Sequence, residues 1–192
     1  MMKDVEEFKE IDFDKPPFLF KLSDSLVYLL GGAGFYNKYF ESIPLTGSEN
    51  ILNFGSGGGI ASKILIKRIP DGHLTCLEPS TCWIKRLRKR LGTFENVTFI
   101  NDYIENTDIS DNTFDIILIH HVLHDIHPEK RPKVVKQLSR ILKPDGRIYI
   151  REPIKKSHGM PYEEIRQLFK DVDRNEGEFS IKTNKEYSGI YS

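Results

Sequence analysis

The stretch Ile51-Leu52-Asn53-Phe54-Gly55-Ser56-Gly57-Gly58-Gly59 decides the reading of this chain. A short apolar run breaks on a dense glycine loop, and Ile60-Ala61-Ser62-Lys63-Ile64-Leu65-Ile66 resumes with helical spacing. A tight strand-to-helix turn uses positive φ and brings bare backbone close to a ligand; glycine serves both needs. Further on, His73-Leu74-Thr75-Cys76-Leu77 forms a second apolar run that ends at Glu78. An acidic residue about 20 residues past such a loop, at the end of the next strand, is placed to accept ribose hydroxyls. Together the two features predict a cofactor that carries a nucleoside.

Working outward, strands and helices alternate. A helix near 59–69 ends at Pro70-Asp71-Gly72, and a second, Pro79 to Leu91, places Trp83, Ile84, Leu87 and Leu91 at core spacing before Gly92 stops it. Val97–Ile100 is a short third strand. Phe114-Asp115-Ile116-Ile117-Leu118-Ile119-His120 is almost continuously apolar, as a strand covered on both faces must be. A helix from about Pro128 to Leu142 leads to a turn at Lys143-Pro144-Asp145-Gly146 and a fifth strand, Arg147 to Arg151. Tyr162 to Asp171 reads as a last helix, and 178–191 as strand material with Ser188-Gly189 as a turn or bulge. The alternation predicts an open α/β sheet. Upstream, Pro16-Pro17 breaks any helix, and Leu22 to Phe40 divides into two short helices at Gly31-Gly32-Ala33-Gly34.

The bulk properties narrow the field. The 192 residues carry 28 basic and 28 acidic side chains, so no global field draws the chain to nucleic acid or anionic lipid. Cys76 and Cys82 are too few for a disulfide framework and read as reduced thiols. No signal peptide and no apolar run of about 18 residues is seen, so the expected setting is cytoplasmic, away from the membrane. The run Lys85-Arg86-Leu87-Arg88-Lys89-Arg90 is interleaved with apolar positions and reads as the wet face of a helix rather than a nucleic-acid site.

The glycine spacing separates nucleoside cofactors. A dinucleotide fingerprint needs glycine at position 60, which is Ile60, and no Gly-Lys-Ser/Thr follows the loop as a phosphate-binding loop requires. Gly55-Ser56-Gly57-Gly58-Gly59 instead resembles motif I of the class I S-adenosylmethionine-dependent methyltransferases. Leu77-Glu78-Pro79-Ser80 is similar to that family's ribose-binding strand end, and Asn101-Asp102-Tyr103-Ile104 to the acidic segment that reaches the adenine amino group. Phe114 to Leu118 with His120-His121-Val122-Leu123 resembles motif IV, and Leu142 to Arg147 the turn before strand five. These segments span about 45–155 in the family's order, closest to its small-molecule, ubiquinone-biosynthesis-like members.

The resemblance implies a Rossmann-like open sheet, mostly parallel, with helices on both faces and an antiparallel last strand. It implies residues 1–44 as a helical lid and substrate segment, and 45–192 as the cofactor-binding methyltransferase domain. S-adenosyl-L-methionine would lie against Asn53, Gly55, Ser56, Gly57, Gly59, Glu78, Pro79, Asp102, Tyr103, His120 and His121, and Tyr36 and Tyr39 would face the acceptor. Core packing is the other reading of the two tyrosines, and a turn-former that of Asp102. Asn53 departs from the family, which usually has an acidic residue there; an amide accepts a hydrogen bond but supplies no charge. A non-catalytic cofactor-binding module is therefore the alternative to an enzyme.

His124-Asp125-Ile126 resembles the His-Asp-Trp of plant-type small-molecule O-methyltransferases, whose histidine is the base; that implies His124 as catalytic, against a structural or capping role. No cysteine or carboxylate cluster accompanies the four histidines between 120 and 127, so no metal is expected. The expected partner is a small-molecule methyl acceptor, with the chain a monomer or homodimer.

Overall fold

The first, second and fourth apolar runs in the middle of the chain are each followed by a helical segment, and a return through such a crossover lets the strands run parallel. A computed structural model describes residues 12, 14–29, 34–155, 158–178 and 180–192. In it β1 (Asn50–Phe54), β2 (His73–Leu77), β3 (Val97–Ile100), β4 (Phe114–His120) and β5 (Leu142–Lys155) pair in parallel in the order β3-β2-β1-β4-β5. β6 (His158–Gly159) folds back on the end of β5. Beyond β5, β7 (Ile181–Lys182) and β8 (Glu186–Tyr191) complete the sheet, with β8 antiparallel to β5 and β7 outermost. The mostly parallel, Rossmann-like sheet and its antiparallel edge are those implied by the sequence.

Two cores form because side chains alternate across the sheet. Leu52, Phe54, Ile117, Ile119, Ile148 and Ile150 face α5 (Arg131–Ile141) and α6 (Tyr162–Lys170), meeting Val134, Leu138, Ile165 and Phe169. Ile51, Leu74, Cys76, Ile116 and Leu118 face α3 (Ile60–Ile66) and α4 (Thr81–Leu91), meeting Leu65, Ile66, Ile84, Leu87 and Leu91. The run Ile116 to Ile119 serves both cores, which explains its unbroken apolar character. Each fully buried Ile or Leu contributes roughly 1.5–3 kcal/mol.

The structure differs from expectation in β5. Residues 143–146, expected as a turn, belong to the strand: Leu142 pairs with Phe114 and Arg147 with Ile116, so the intervening residues bulge while Leu142 stays buried. Ser188-Gly189 is neither turn nor bulge, because both residues stay in register with Arg151 and Ile150. The reversal lies earlier, where Thr183 Oγ1 accepts from the Lys185 and Glu186 amides. Gly189 instead answers a packing need: a Cβ there would run into the Tyr187 ring.

α1 (Phe18–Leu29) and α2 (Gly34–Ser42) are the two expected N-terminal helices; their joint, including Gly31 to Ala33, lies outside the described residues. α1 is oriented by its polar side. Asp24 meets Arg90 at 2.8 Å and Arg86 at 3.6 Å, and the Tyr28 ring lies between the Lys63 ammonium (4.2 Å) and the Arg90 guanidinium (4.1 Å). Leu19, Leu22, Leu26 and Leu29 consequently face outward and are exposed. Arg86 and Arg90, expected on a wet face, are thus committed to holding α1, while Lys85, Arg88 and Lys89 are exposed. No helix among the described residues is long and apolar enough to cross a membrane. Gly189→Ala should cost about 1–3 kcal/mol by overpacking against Tyr187, measured as a lower urea midpoint at unchanged slope.

Candidate active site

The chain passes from β1 to one side of the sheet and returns to β4 on the other, so the loops beyond these strands diverge and leave a crevice at the strands' carboxyl ends. That crevice is a cavity of about 1040 Å³. Its floor is the glycine loop. The Gly55 and Ser56 amides donate to Leu77 O at 2.9 and 3.1 Å, and Ser56 Oγ donates to Asn53 O at 2.7 Å, tying the loop to β2 and β1. Gly57 has φ +50°, and a Cβ there would meet no protein atom within 4 Å; the loop's bare backbone faces open space.

Glu78, just past β2, forms one wall. Its Oε2 accepts the Gly57 amide at 2.8 Å and its Oε1 the Ser80 amide at 3.0 Å. Burial pushes its pKa up from the ordinary range, against the pull of the two amides. The Ser80 side chain accepts from Trp83 N and caps α4, which fixes the turn on which Glu78 sits. Pro79 and the residues 103–106 line the same end. The opposite wall is the end of β4, with His120 and His121 in stacked contact at 4.4 Å. His120 also packs on Phe40 of α2 at 5.1 Å, and burial pushes its pKa well below the usual imidazole value, so it is neutral near pH 7.

The cavity brings together Asn53, Gly55, Ser56, Gly57, Gly59, Glu78, Pro79, Tyr103, His120 and His121, ten of the sequence-predicted residues. Asp102 is not on its wall; Asp102 Oδ1 accepts from Tyr103 N at 2.7 Å and Asn106 Nδ2 at 2.8 Å, closing the turn that presents Tyr103 and Ile104. Asn53 donates from Nδ2 to Ser62 Oγ at 2.8 Å, which ties the loop to α3. Tyr39 lies behind the wall, with Arg151 over its ring at 4.9 Å, and its hydroxyl is pushed up by burial. The side chain of Tyr36 lies outside the described residues.

His124 is also off the wall. Its Nδ1 lies 2.6 Å from Glu152 Oε2, and Glu152 is wholly buried at the end of β5. Glu152 Oε1 accepts the Val122 and Leu123 amides, both at 2.8 Å, so one carboxylate organises the 3₁₀ turn Leu123–Asp125 behind the wall. Buried Arg131 donates to His124 O and Ile126 O and pairs with Glu164 at 2.7 Å. Burial lowers the His124 pKa, but the hydrogen bond and charge of Glu152, with Asp125, reverse this, and the net shift is upward. Sequence reasoning missed Glu152. The available signal was a charged pair, Arg151-Glu152, ending an apolar strand at the carboxyl edge where sites form. Among the described residues no group of three His, Cys, Asp or Glu side chains is arranged to hold a metal ion.

A carboxylate acceptor, an exposed glycine backbone and a wall of apolar and ring side chains, with no lysine in the loop, fit a phosphate-free nucleoside cofactor; this is a class of α/β enzyme defined by its crevice. Residues 51–146, 96 of the 192, match the family model described as a methyltransferase domain, and the chain belongs to that family. That family is the class I, S-adenosylmethionine-dependent type of methyltransferase domain. Over 124 residues it is 29% identical to malonyl-[acyl-carrier protein] O-methyltransferase 2 of Ilyobacter polytropus, covering 65% of this chain and 45% of that one. Over 115 residues it is 28% identical to the glycine/sarcosine/dimethylglycine N-methyltransferase of Actinopolyspora halophila, covering 58% and 20%. The chain thus spans half or less of the length of these two relatives. A TehB-like S-adenosylmethionine-dependent methyltransferase of Corynebacterium glutamicum superposes with a TM-score of 0.74 at 14% identity, covering 91% of this chain and 96% of that one, which shows the shared fold.

Glu152→Ala removes a buried partner from His124 and from two amides, and should cost about 3–5 kcal/mol, read by chemical denaturation. Because the folded pKa of His124 is raised, the stability it contributes is complete below the unfolded value of about 6.5. That contribution is lost as pH rises through the folded pKa. The stability gap between the wild type and His124→Gln should therefore narrow as pH increases from 6 to 9; a gap that widens contradicts the pairing.

Proposed function

We propose that this methyltransferase acts on a small-molecule acceptor by direct displacement, with residues 1–44 serving as a lid and substrate segment. The observation that carries the reading is the single cavity running from the Glu78 carboxylate to the His120–His121 pair, bounded on its outer side by Ser23, Asp24 and Val27 of α1. S-adenosylmethionine supplies a methyl group on an already activated leaving group. The residues present then need to bind, align and keep water out, and alignment alone supplies much of the rate. Glu78 accepts the ribose hydroxyls, the Gly57 backbone allows close approach, and Tyr103 and Ile104 flank the base. His120, neutral and packed on Phe40, borders the reacting end without offering a charge. The clasp of Asp24 on Arg90 holds α1 beside Gly58, whose carbonyl accepts from Arg90, so lid and loop share one cation.

A small acceptor is consistent with the relative named for glycine, sarcosine and dimethylglycine. Asn53 favours a second reading, a binding module without turnover, because its amide is spent on Ser62 and brings no charge. Calorimetry with S-adenosylmethionine followed by turnover on hydroxyl, carboxylate, amine and thiol acceptors separates them: binding with turnover is expected, and binding with none supports the module. Glu78→Ala should weaken cofactor binding roughly 100-fold through loss of charge-assisted hydrogen bonds to two hydroxyls. Unchanged affinity contradicts the ribose assignment.

A further inference from the structure

We propose that His121, held by Glu186, is the proton acceptor of the reaction, and that the methyl acceptor is correspondingly an acidic hydroxyl of phenolic or enolic type. The inference rests on the small-molecule reading above and names the chemistry at the far wall. His121 has φ +56°, a left-handed backbone that side chains rarely adopt, and it lies at the cavity wall. The other non-glycine residues with positive φ among those described are Asn112 and Asp173, both outside the cavity wall. Strained backbone at a cavity marks a residue whose side chain is being aimed. The His121 amide donates to Arg151 O at 2.8 Å, which holds the strained turn against β5.

The side chain is fixed at its far nitrogen. His121 Nε2 lies 3.1 Å from Glu186 Oε2, while Glu186 Oε1 receives Arg151 Nε and a terminal guanidinium nitrogen, each at 2.7 Å. Arg151 is 3% exposed, so the carboxylate is anchored by a buried fork and presents one oxygen to the imidazole. A carboxylate only accepts, so Nε2 carries the hydrogen and Nδ1 keeps the lone pair. Nδ1 makes no protein hydrogen bond among the described residues. His124, by contrast, uses both nitrogens inside the protein, Nδ1 on Glu152 and Nε2 at 3.4 Å from Asp125. The role that sequence resemblance gives to His124 therefore passes to His121.

The groups about the His121 ring are Glu186 of β8, which Arg151 of β5 anchors, the stacked His120 of β4 and the edge-on His124 ring at 6.3 Å, which Glu152 holds. In the step, the acceptor oxygen forms the new bond to the methyl carbon and the carbon–sulfur pair stays on sulfur. The hydroxyl proton passes to Nδ1, and the imidazolium so formed is stabilised by Glu186. A carboxylate acceptor has no proton to give up and needs no such base; a hydroxyl has one, and an acidic hydroxyl gives it up most readily to a nitrogen lone pair. Glu186 is a positioning residue.

Two measurements on the full chain test this. Nitrogen-15 NMR of the histidine rings should show neutral His121 as the Nε2–H tautomer, relaxing to a mixture in Glu186→Gln; an Nδ1–H tautomer in the wild type overturns the proposal. In turnover assays with phenol, enol, carboxylate, amine and thiol acceptors, His121→Asn, chosen because Asn tolerates positive φ, should lose about 100-fold or more in kcat on hydroxyls. Glu186→Gln should lower kcat on hydroxyls more than it raises KM, and Glu186→Asp should restore part of the loss. Turnover confined to carboxylates, or equal in His121→Asn and wild type, overturns the assignment of the base while leaving the small-molecule reading intact. Cofactor binding by the wild type without turnover on any small acceptor defeats that reading, and the proposal with it.

Discussion

The crevice exists because β1 is flanked by β2 on one side and β4 on the other, so the chain must change direction across the sheet between them. Everything chemical in the molecule hangs on that divergence. The glycine loop and Glu78 are carried on the β1 and β2 ends, and the histidine pair on the β4 end. Neither wall could reach across the sheet alone. The register between β1 and β4, with Phe54 opposite Ile119, sets the two walls at the same height.

Two buried carboxylates then hold the walls by different means. Glu78 closes the glycine loop by accepting the Gly57 and Ser80 amides, and in the proposed function it trades the first of these for ribose hydroxyls. Glu152 is committed to the protein: it collects two amides and the His124 imidazole beneath the β4 end and is wholly buried. Such a carboxylate is costly to bury unless every lone pair is used. The same expense makes the turn behind His121 stiff, which a residue in a left-handed conformation requires.

The parallel core was legible because short-range signals are strong there. β3 and β4 have the expected bounds, and β1, β2 and α3 to α6 differ by a few residues at their ends. The placement of the glycine loop and Glu78 was legible too, since a tight strand-to-helix turn demands glycine and the next strand ends beside it; both line the crevice. What sequence could not show depends on pairing over long distances. Glu186 reaches His121 only because β8 pairs antiparallel with β5, and nothing local to residue 186 announces that. Asp102 looked like a ligand because it follows a strand, yet the Asn106 amide and its own turn compete for its oxygen. In α1 the orientation of the leucines was not legible, because it depends on the cations of α3 and α4 that engage Asp24 and Tyr28 and leave the leucines outward.

In the proposed function one nucleoside spans the crevice from Glu78 to the β4 histidines. A structure of the complex with S-adenosylhomocysteine tests it most directly. The account predicts ribose hydroxyls on the Glu78 carboxylate, in place of its contact with the Gly57 amide, and the sulfur beside His120 and His121. A nucleoside bound elsewhere, or one whose ribose leaves Glu78 on the loop amides, contradicts it.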